Sequence, residues 1–358
     1  MLAAETLFNR LIGDVQSCTR CEMMAGCTRV LSWANGPPNA KVMFVGEAPG
    51  RLGADRTAIP FHGDKAGDNF ERLLSLAGLS RKDVFVTNAV LCNPRDDVGN
   101  NISPPRSVVK NCSENLQRQI EAVDPKIVVT LGSAALESTR LIDAHDLTLA
   151  NAVRTTNDWN NRVLIPLYHP GARAMIHRNF ATQTADYYFI GEQVRRLSRK
   201  SRVSKYHARN LSAAWDVVRY VISVIGEISL FRLHKTMYLV DLQFSKERGK
   251  ALTDFFYIRQ KDGPYCVELG SRWFKSYEDQ IHFRVKEGRP WLSWRDSGLF
   301  TEKIFIENVD REVVDKVLSS IAPLDDSQLK TRSYLTEPMR RALEAERVGS
   351  RQLNRPLL

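Results

Sequence analysis

Apolar runs rich in β-branched and aromatic residues alternate with amphipathic stretches in the first half of the chain. Four runs predict strands, at 41–46, 84–87, 126–131 and 163–167. Helical stretches are predicted between the first three strands, at 68–77 and 113–122. Continuous apolar strands separated by helices are typical of a parallel sheet that is buried on both faces. The predicted fold class is therefore α/β, with a four-stranded parallel sheet.

The pattern changes after residue 195, which we take as the end of a first domain at 1–195. Residues 196–210 are predicted to form a basic linker, because the stretch 195–209 carries seven Lys or Arg and no acidic residue. A second, mainly helical α+β domain is predicted at 211–325. Its clearest helical signal is an apolar stripe at i, i+4, i+7 and i+11, formed by Leu233, Met237, Val240 and Phe244. A charged C-terminal helix and a frayed tail are predicted at 326–358.

Composition and charge narrow the class of protein. The chain has 358 residues, of which 43% are hydrophobic, and this is enough to build the cores of two domains. No apolar run reaches the roughly 18 residues that a membrane helix needs, and no signal-peptide pattern opens the chain. We therefore expect a cytoplasmic protein that has no membrane partner. The formal net charge of +10 favours a polyanionic partner, with nucleic acid as the first candidate.

Four cysteines have a spacing that is typical of a soft metal centre. Cys18 and Cys21 form a Cys-x2-Cys pair, and Cys92 and Cys112 follow at a distance. Four thiolates suit tetrahedral zinc or a [4Fe–4S] cluster, and spacing alone does not separate the two. Cys27 is close enough to Cys21 to be a rival ligand. The alternative is that these cysteines are small hydrophobic residues of the core.

Chemically useful residues follow the predicted strands at their carboxyl ends. They are an acid, an amide, a glycine and an imidazole, namely Glu47, Asn88, Gly132 and His169. In open parallel sheets, ligands bind outside the carboxyl ends of the strands. The sequence therefore predicts a ligand pocket at this edge of the sheet.

Four short motifs occur in an order that is specific for one family. They are Gly46-Glu47-Ala48-Pro49-Gly50, Pro60-Phe61, Thr87-Asn88-Ala89-Val90-Leu91-Cys92 and Tyr168-His169-Pro170. Together with the interleaved cysteines, they resemble the family 4 uracil-DNA glycosylases over about residues 5–195. The resemblance implies a three-layer α/β/α glycosylase fold, DNA as the partner, and a [4Fe–4S] cluster on Cys18, Cys21, Cys92 and Cys112. It therefore favours iron–sulfur over zinc.

The resemblance also implies roles for the residues of the pocket. Phe61 would stack on a base that has been flipped out of the duplex. Asn88 would bind the edge of that base, beside Gly46, Ala48 and Gly50. His169 would donate a hydrogen bond to the pyrimidine O2, where negative charge grows as the glycosidic bond breaks. The attacking water would be held by Glu47, by backbone groups or by the charged sugar itself, and no lysine suggests a Schiff base, so we expect a monofunctional glycosylase.

The loops around the pocket depart from the family pattern. The segment that follows Gly50 and the segment that follows Phe61 are each one residue longer, and Gly50 stands where some relatives carry a tyrosine that blocks C5 of the ring. A substituent on C5 would then find polar candidates in Arg51, His62, Asp64 and Lys65. The loop after His169 is longer as well. In that loop we predict Met175 and Ile176 as a wedge that opens the base stack, with Arg173 and Arg178 as phosphate contacts.

The second domain resembles the Panacea antitoxin domain over about residues 210–325, on the motifs 234–241 and 262–265 with Glu268-Leu269. The resemblance implies a protein partner in a toxin–antitoxin or phage-defence system. The leading hypothesis is therefore a glycosylase that removes a modified pyrimidine, such as hydroxymethylated or glucosylated cytosine, from phage DNA. The alternatives are a uracil-DNA glycosylase of base-excision repair and an inactive DNA-binding antitoxin or regulator.

Overall fold

A computed structural model describes residues 2–198, 211–270, 274, 280–295, 304 and 306–358 of the chain. The chain divides into two compact units, Met1–His207 and Ala208–Leu358. The predicted basic linker at 196–210 lies outside the described residues except for 196–198. Those three residues are helical and continue the last helix of the first unit.

A central sheet organises the first unit. Its strands are β1 (Val42–Gly46), β2 (Val84–Asn88), β3 (Ile127–Leu131), β4 (Asn157–Trp159) and β5 (Arg162–Leu167). They lie in the order β2-β1-β3-β5-β4, and only β4 runs antiparallel to its neighbour. Every residue of β1, β2 and β3 is buried, as the continuous apolar runs predict.

The fifth strand corrects the predicted count of four. β4 pairs with β5 through a hairpin whose two-residue loop is Asn160-Asn161. Both asparagines have left-handed backbone angles, with φ of 44° and 56°. Such a loop matches the twist of a tight hairpin, and asparagine tolerates it better than most residues. The strand escapes prediction because it has only three residues and two of them, Asn157 and Asp158, are polar.

Helices cover both faces of this sheet. They are α1 (Leu2–Gln16), α2 (Ala54–Thr57), α3 (Lys65–Leu76), α4 (Arg106–Val123), α5 (Ser133–Arg140), α6 (Leu149–Ala152), α7 (Ala172–His177) and α8 (Phe180–Ser198). One core joins α1, α4 and α5 to Met43 and Val45 of β1. A second core joins α3 and α8 to Val42 and Phe44. Successive side chains of a strand point to opposite faces, so the unit has three layers.

Strand register brings the predicted pocket residues to one edge. Gly46 at the end of β1 pairs with Asn88 at the end of β2, and Leu131 of β3 pairs with Leu167 of β5. The four parallel strands therefore end side by side. His169 follows β5 by two residues and reaches the same edge.

The second unit combines helices with antiparallel strands. Its helices are α9 (Leu211–Ile225), α10 (Leu230–Arg248), α11 (Asn308–Ile321), α12 (Asp326–Tyr334) and α13 (Glu337–Arg347), and its strands are β6 (Glu227–Ser229), β7 (Tyr257–Gln260), β8 (Gly263–Cys266), β9 (Ile281–Lys286) and β10 (Arg289–Trp294). The strands form a sheet in the order β6-β10-β9 and a separate β7-β8 hairpin. The apolar stripe of α10 is buried in the core, as predicted.

The C-terminal segment differs from its prediction in two ways. Residues 326–358 hold two helices, α12 and α13, rather than one. The final residues are not frayed, because they extend along β7: the N–H of Asn354 donates to the carbonyl of Arg259, and the N–H of Leu357 donates to the carbonyl of Tyr257. This pairing joins residues almost a hundred positions apart, so local sequence pattern does not reveal it.

No helix in the described part of the chain is both long enough and apolar enough to cross a membrane.

Candidate functional site

A glycine at the end of β1 allows two side chains to meet at the sheet edge. A Cβ atom on Gly46 would lie 2.6 Å from Cε2 of Phe61 and closer still to Oδ1 of Asn88. No real Cβ contact is that short, so this position requires glycine. Because Gly46 has no side chain, Phe61 and Asn88 can both pack against its backbone.

Phe61 is held firmly in an unusual conformation. Its backbone is left-handed, with φ of 50°, and its side chain is 8% exposed. The carbonyl oxygen of Phe61 accepts a 2.8 Å hydrogen bond from Nη2 of Arg81. The ring lies 5.0 Å from the ring of Phe70 and 5.3 Å from that of His169, measured between centroids. The ring is thus fixed next to the imidazole before any ligand binds.

Asn88 presents a buried polar atom that lacks a partner. The side chain is 2% exposed, and its Nδ2 has no hydrogen-bond acceptor among the residues that the structure describes. An unsatisfied buried amide costs free energy, and native proteins contain few of them. An amide in this state at a strand end is suited to a ligand that accepts its hydrogen bond.

His169 is oriented by the backbone that follows it. Its Nδ1 accepts a 2.9 Å hydrogen bond from the N–H of Gly171. In a neutral imidazole the proton must then be on Nε2, which makes Nε2 a donor. Burial lowers the pKa of His169 below its ordinary value, and the charge of Asp64 partly opposes that change. Gly132 lies against the same side chain, since a Cβ there would be 3.7 Å from Cβ of His169.

The remaining residues of the β1 turn lie on two sides of the pocket. Glu47 is half-buried, and its carbonyl accepts a hydrogen bond from the N–H of Val90. Ala48 packs with the apolar cluster that surrounds the cysteines, so its side chain lies on the side of the turn that faces the cysteines. Gly50 lies beside the carboxylate of Asp64, because a Cβ on Gly50 would be 3.1 Å from Oδ2 of Asp64.

The loop after His169 forms the short helix α7, and its residues divide into two groups. Ile176 is 79% exposed, and Arg173 is exposed as well. Met175 is half-buried, and its sulfur accepts a contact of 3.8 Å from Nδ2 of Asn69. Arg178 makes two hydrogen bonds of 2.5 Å to the buried carboxylate of Asp186. Met175 and Arg178 are therefore engaged inside the fold, whereas Ile176 and Arg173 face outward.

The four predicted metal ligands line one pocket. Cys18, Cys21, Cys92 and Cys112 all line this pocket, which is partly open to solvent. Burial raises the pKa of the Cys92 thiol to about 12, and the neighbouring thiol of Cys112 adds to this shift. A thiol with such a pKa stays protonated at pH 7 unless a cation replaces the proton. A bound cation would favour the thiolate form and oppose this shift.

Among the described residues, no group of three or more His, Cys, Asp or Glu side chains is arranged to hold a single metal ion. A mononuclear zinc site needs four ligands converged on one ion, whereas a cluster fills the space between its ligands. Four thiolates are the donor set that both kinds of centre use.

Cys27 packs in the same apolar cluster as Cys21, Cys92 and Cys112 but does not line this pocket. Its thiol donates a 3.3 Å hydrogen bond to the carbonyl of Asn93, and Cys27 is absent from the pocket lining. Arg29 fixes the intervening loop by donating to the carbonyl oxygens of Cys18 and Cys27. The thiol of Cys27 is therefore engaged by the backbone of Asn93, whereas the other four thiols line the pocket.

Sequence reasoning missed three residues that support the pocket. Arg81 holds the Phe61 carbonyl, Gly171 orients His169, and Nδ2 of Asn93 donates to the carbonyl of Pro49. Gly171 could have been noticed, because a glycine two residues beyond a histidine can bring its N–H to Nδ1. Arg81 and Asn93 could not, since each is more than fifteen residues from the group that it binds.

Comparisons with known proteins find relatives of the first unit. A model of the family described as "Uracil DNA glycosylase superfamily" matches residues 33–189, which lie within the first unit. The type-4 uracil-DNA glycosylase of Archaeoglobus fulgidus is 34% identical over 45% of this chain and 80% of its own length. That of Thermotoga maritima is 32% identical over 48% of this chain and 84% of its own length. A type-5 uracil-DNA glycosylase of Pyrobaculum aerophilum is 34% identical over 36% of this chain and 65% of its own length.

Proposed function

This chain belongs to the uracil DNA glycosylase superfamily and is a DNA glycosylase, and on that premise we propose that it hydrolyses the N-glycosidic bond of a non-canonical pyrimidine in DNA. The observation that carries the proposal is the buried, unpartnered Nδ2 of Asn88. It lies beside the fixed ring of Phe61 and near a histidine whose Nε2 is a donor. A flat ring with acceptors on its edge would satisfy all three groups.

The groups act on a base that has left the stack. The flipped pyrimidine stacks on Phe61, and Asn88 binds its Watson–Crick edge. As the bond between N1 and C1′ breaks, its electron pair passes to the base, and negative charge develops at O2. Nε2–H of His169 donates to that oxygen, which is where a fixed donor lowers the barrier most.

Water completes the reaction. Its oxygen forms the new bond to C1′ of the cationic sugar, and the proton that it releases balances the one that the base anion takes up, so the products are the free base and an abasic site. The half-buried carboxylate of Glu47 is the group that we assign to hold this water and to stabilise the sugar cation. The abasic strand stays intact, because the proposed site includes no lysine that would form an imine with C1′.

Ile176 and Arg173 engage the duplex. A largely exposed isoleucine on a short helix next to His169 is suited to fill the space that the flipped base leaves. Arg173 lies three residues before Ile176 and is exposed to solvent. We assign it to contact a phosphate of the DNA backbone. We assign Met175 and Arg178 to the support of this helix, since their side chains contact Asn69 and Asp186.

A [4Fe–4S] cluster is held by Cys18, Cys21, Cys92 and Cys112 in this proposal. The four thiols that line one pocket, together with the type-4 relatives, support a cluster rather than one ion. When bound, the cluster cross-links the N-terminal segment, the loop after β2 and α4, and hydrolysis needs no electron from it. Cys92 follows Asn88 by four residues, so the cross-link also steadies the strand end that carries the base-binding amide.

The leading substrate is a cytosine that is substituted at C5, such as hydroxymethylated or glucosylated cytosine in phage DNA. Gly50 leaves space where a side chain would crowd C5, and the longer rim loops provide polar groups around it. Asn88 accepts either base, because turning its amide exchanges donor and acceptor. Abasic sites in an invading genome would stop its replication. The second unit would serve such a defence by binding a protein partner.

Uracil repair is the second candidate, and the names of the relatives favour it. One experiment separates the two functions. Duplexes that carry uracil, hydroxymethylcytosine or glucosylated hydroxymethylcytosine are incubated with the protein and treated with alkali, which breaks the strand at abasic sites. Breaks at the modified cytosines support the leading proposal, whereas breaks at uracil alone replace it with repair. An Asn88→Ala variant, which lacks the base-binding amide, controls for contaminating glycosylases.

A further inference from the structure

Asp64 has one carboxylate oxygen that the fold uses and one that it does not. Asp64 is the N-cap of α3, and its Oδ1 accepts a 2.9 Å hydrogen bond from the N–H of Gly67. Within the described residues, no N–H or O–H group donates to Oδ2. The cap locks the side chain, so Oδ2 has a fixed direction.

Two glycines make room for this free oxygen. A Cβ on Gly50 would lie 3.1 Å from Oδ2, and a Cβ on Gly53 would lie 2.8 Å from Cγ of the same carboxylate. The turn after β1 therefore wraps around Asp64 without placing a side chain against it. A charged acceptor is thereby held at the rim of the base pocket, beside Gly50.

The other polar groups of the rim are less suited to reach a ligand. Nη1 of Arg51 donates 2.9 Å to the carbonyl of Gly99, and its backbone N–H donates to Asn101. His62 and Lys65 are exposed. Asp64 is half-buried, and its charge is close enough to act on the imidazole of His169. Of the four rim candidates, only Asp64 combines a fixed direction with proximity to the pocket.

We propose that Asp64 determines specificity by accepting a hydrogen bond from a hydroxyl group on the C5 substituent of the flipped pyrimidine. The inference rests on the proposed function and names the residue that reads the modification. Phe61 covers the face of the ring, Asn88 takes the N3 and C4 edge, and His169 takes O2. The C5 substituent is then the part of the base that would lie against Gly50 and Asp64. A carboxylate accepts from a hydroxyl group strongly, and it gains nothing from a methyl group or a hydrogen atom.

The test compares substrates that have nearly the same shape. Hydroxymethylcytosine and 5-methylcytosine differ by one hydroxyl group, so the ratio of their kcat/KM values reports on the proposed hydrogen bond. Asp64→Asn retains a good N-cap, because its side-chain oxygen can still accept from Gly67, but it places an amide donor where Oδ2 was. Asp64→Ser also caps the helix and removes Oδ2 altogether. Asp325→Asn is the matched control, since Asp325 caps α12 in the same way in the second unit.

Both Asp64 variants should lower the ratio about ten- to a hundredfold, the loss expected for a hydrogen bond to a charged acceptor. The Asp325 variant should keep the wild-type ratio. An unchanged ratio in both Asp64 variants would overturn the inference. If the ratio is unchanged because both kcat/KM values fall equally, Asp64 has a structural role. Failure of the proposed function has a different signature, since the wild-type protein would then release neither modified base, and both proposals would fall.

Discussion

The backbone N–H of Gly171 donates to Nδ1 of His169 over 2.9 Å, and this one contact sets the role of the imidazole. It places the proton of the neutral ring on Nε2, the atom that we assign to the leaving base. A backbone donor cannot be lost by side-chain motion. The tautomer is therefore a property of the loop itself.

Two substitutions of His169 distinguish the role of Nδ1 from that of Nε2. Asn in its place can still accept from Gly171 but offers no donor at the Nε2 position, whereas Gln can place an amide N–H near that position. We expect His169→Asn to lower the single-turnover excision rate roughly a hundred- to a thousandfold, the usual effect of losing one such donor. His169→Gln should recover part of the rate. DNA affinity, measured by fluorescence anisotropy, should stay near the wild-type value, and a parallel loss of affinity would make His169 structural.

The pH dependence of excision follows from the burial of His169. Burial lowers its pKa below the ordinary 6.5, so the ring is neutral at pH 7 and takes up a proton only at lower pH. Protonation removes the lone pair of Nδ1 that accepts from Gly171. We therefore expect kcat/KM to be constant above pH 6.5 and to decrease below it. Because the charge of Asp64 raises this pKa, Asp64→Asn should move the acid limb to still lower pH. An acid limb above pH 6.5 would refute this assignment.

The exposed Ile176 predicts a difference between duplex and single-stranded substrates. Opening a base step costs a few kcal/mol, and a wedge offsets part of that cost. Ile176→Ala should slow excision from duplex about tenfold and have little effect on single strands. Val98→Ala is a matched control, since Val98 is 78% exposed on another loop of the same unit. Equal losses on both kinds of substrate would exclude a wedge.

Iron content tests the cysteine assignment. The purified protein should be brown and contain about four iron atoms per chain. Cys92→Ser and Cys112→Ser should lower both iron content and folded yield, because the cluster contributes folding energy. Cys27→Ser should retain the iron, since that thiol donates to the carbonyl of Asn93 instead. Stoichiometric zinc without visible absorbance would contradict the cluster, and iron loss in Cys27→Ser would contradict the ligand set.

The C-terminal residues predict a local effect of truncation. The N–H of Arg259 donates 2.9 Å to the carbonyl of Arg355, and two further backbone bonds join 354–357 to β7. Ending the chain at Gln352 removes all three, at about 1 kcal/mol each. We expect a lower melting temperature and faster hydrogen exchange at the Arg259 amide. The amide of Thr253, which donates to Asp241, is an internal reference. Unchanged protection of Arg259 would show that the tail does not pair in solution.

Local pattern accounts for much of the first unit. The apolar runs predict the four strands that became β1, β2, β3 and β5, because a strand covered on both faces must be apolar throughout. Strand β4 was missed because it is short and polar. The strand-end rule also indicates the pocket, since Asn88 and His169 do reach one edge of the sheet.

Long-range partners account for what the sequence does not reveal. The sequence predicts Arg178 as a phosphate contact and Met175 as part of a wedge, and it does not reveal that Asp186 lies against Arg178 and Asn69 against the sulfur of Met175. The extended tail likewise depends on a partner strand almost a hundred residues away. Such pairings are set by tertiary packing, so periodicity and motif order carry no signal of them.

Direct detection of the released base tests the central claim. Equal amounts of two duplexes, one with hydroxymethylcytosine and one with uracil, are mixed with the protein, and the strands and free bases are followed by mass spectrometry. We predict that the modified strand loses the mass of its intact base faster than the uracil strand does, that free hydroxymethylcytosine appears, and that the abasic strand stays unbroken. Release of uracil from its strand while the modified strand keeps its full mass would contradict the account.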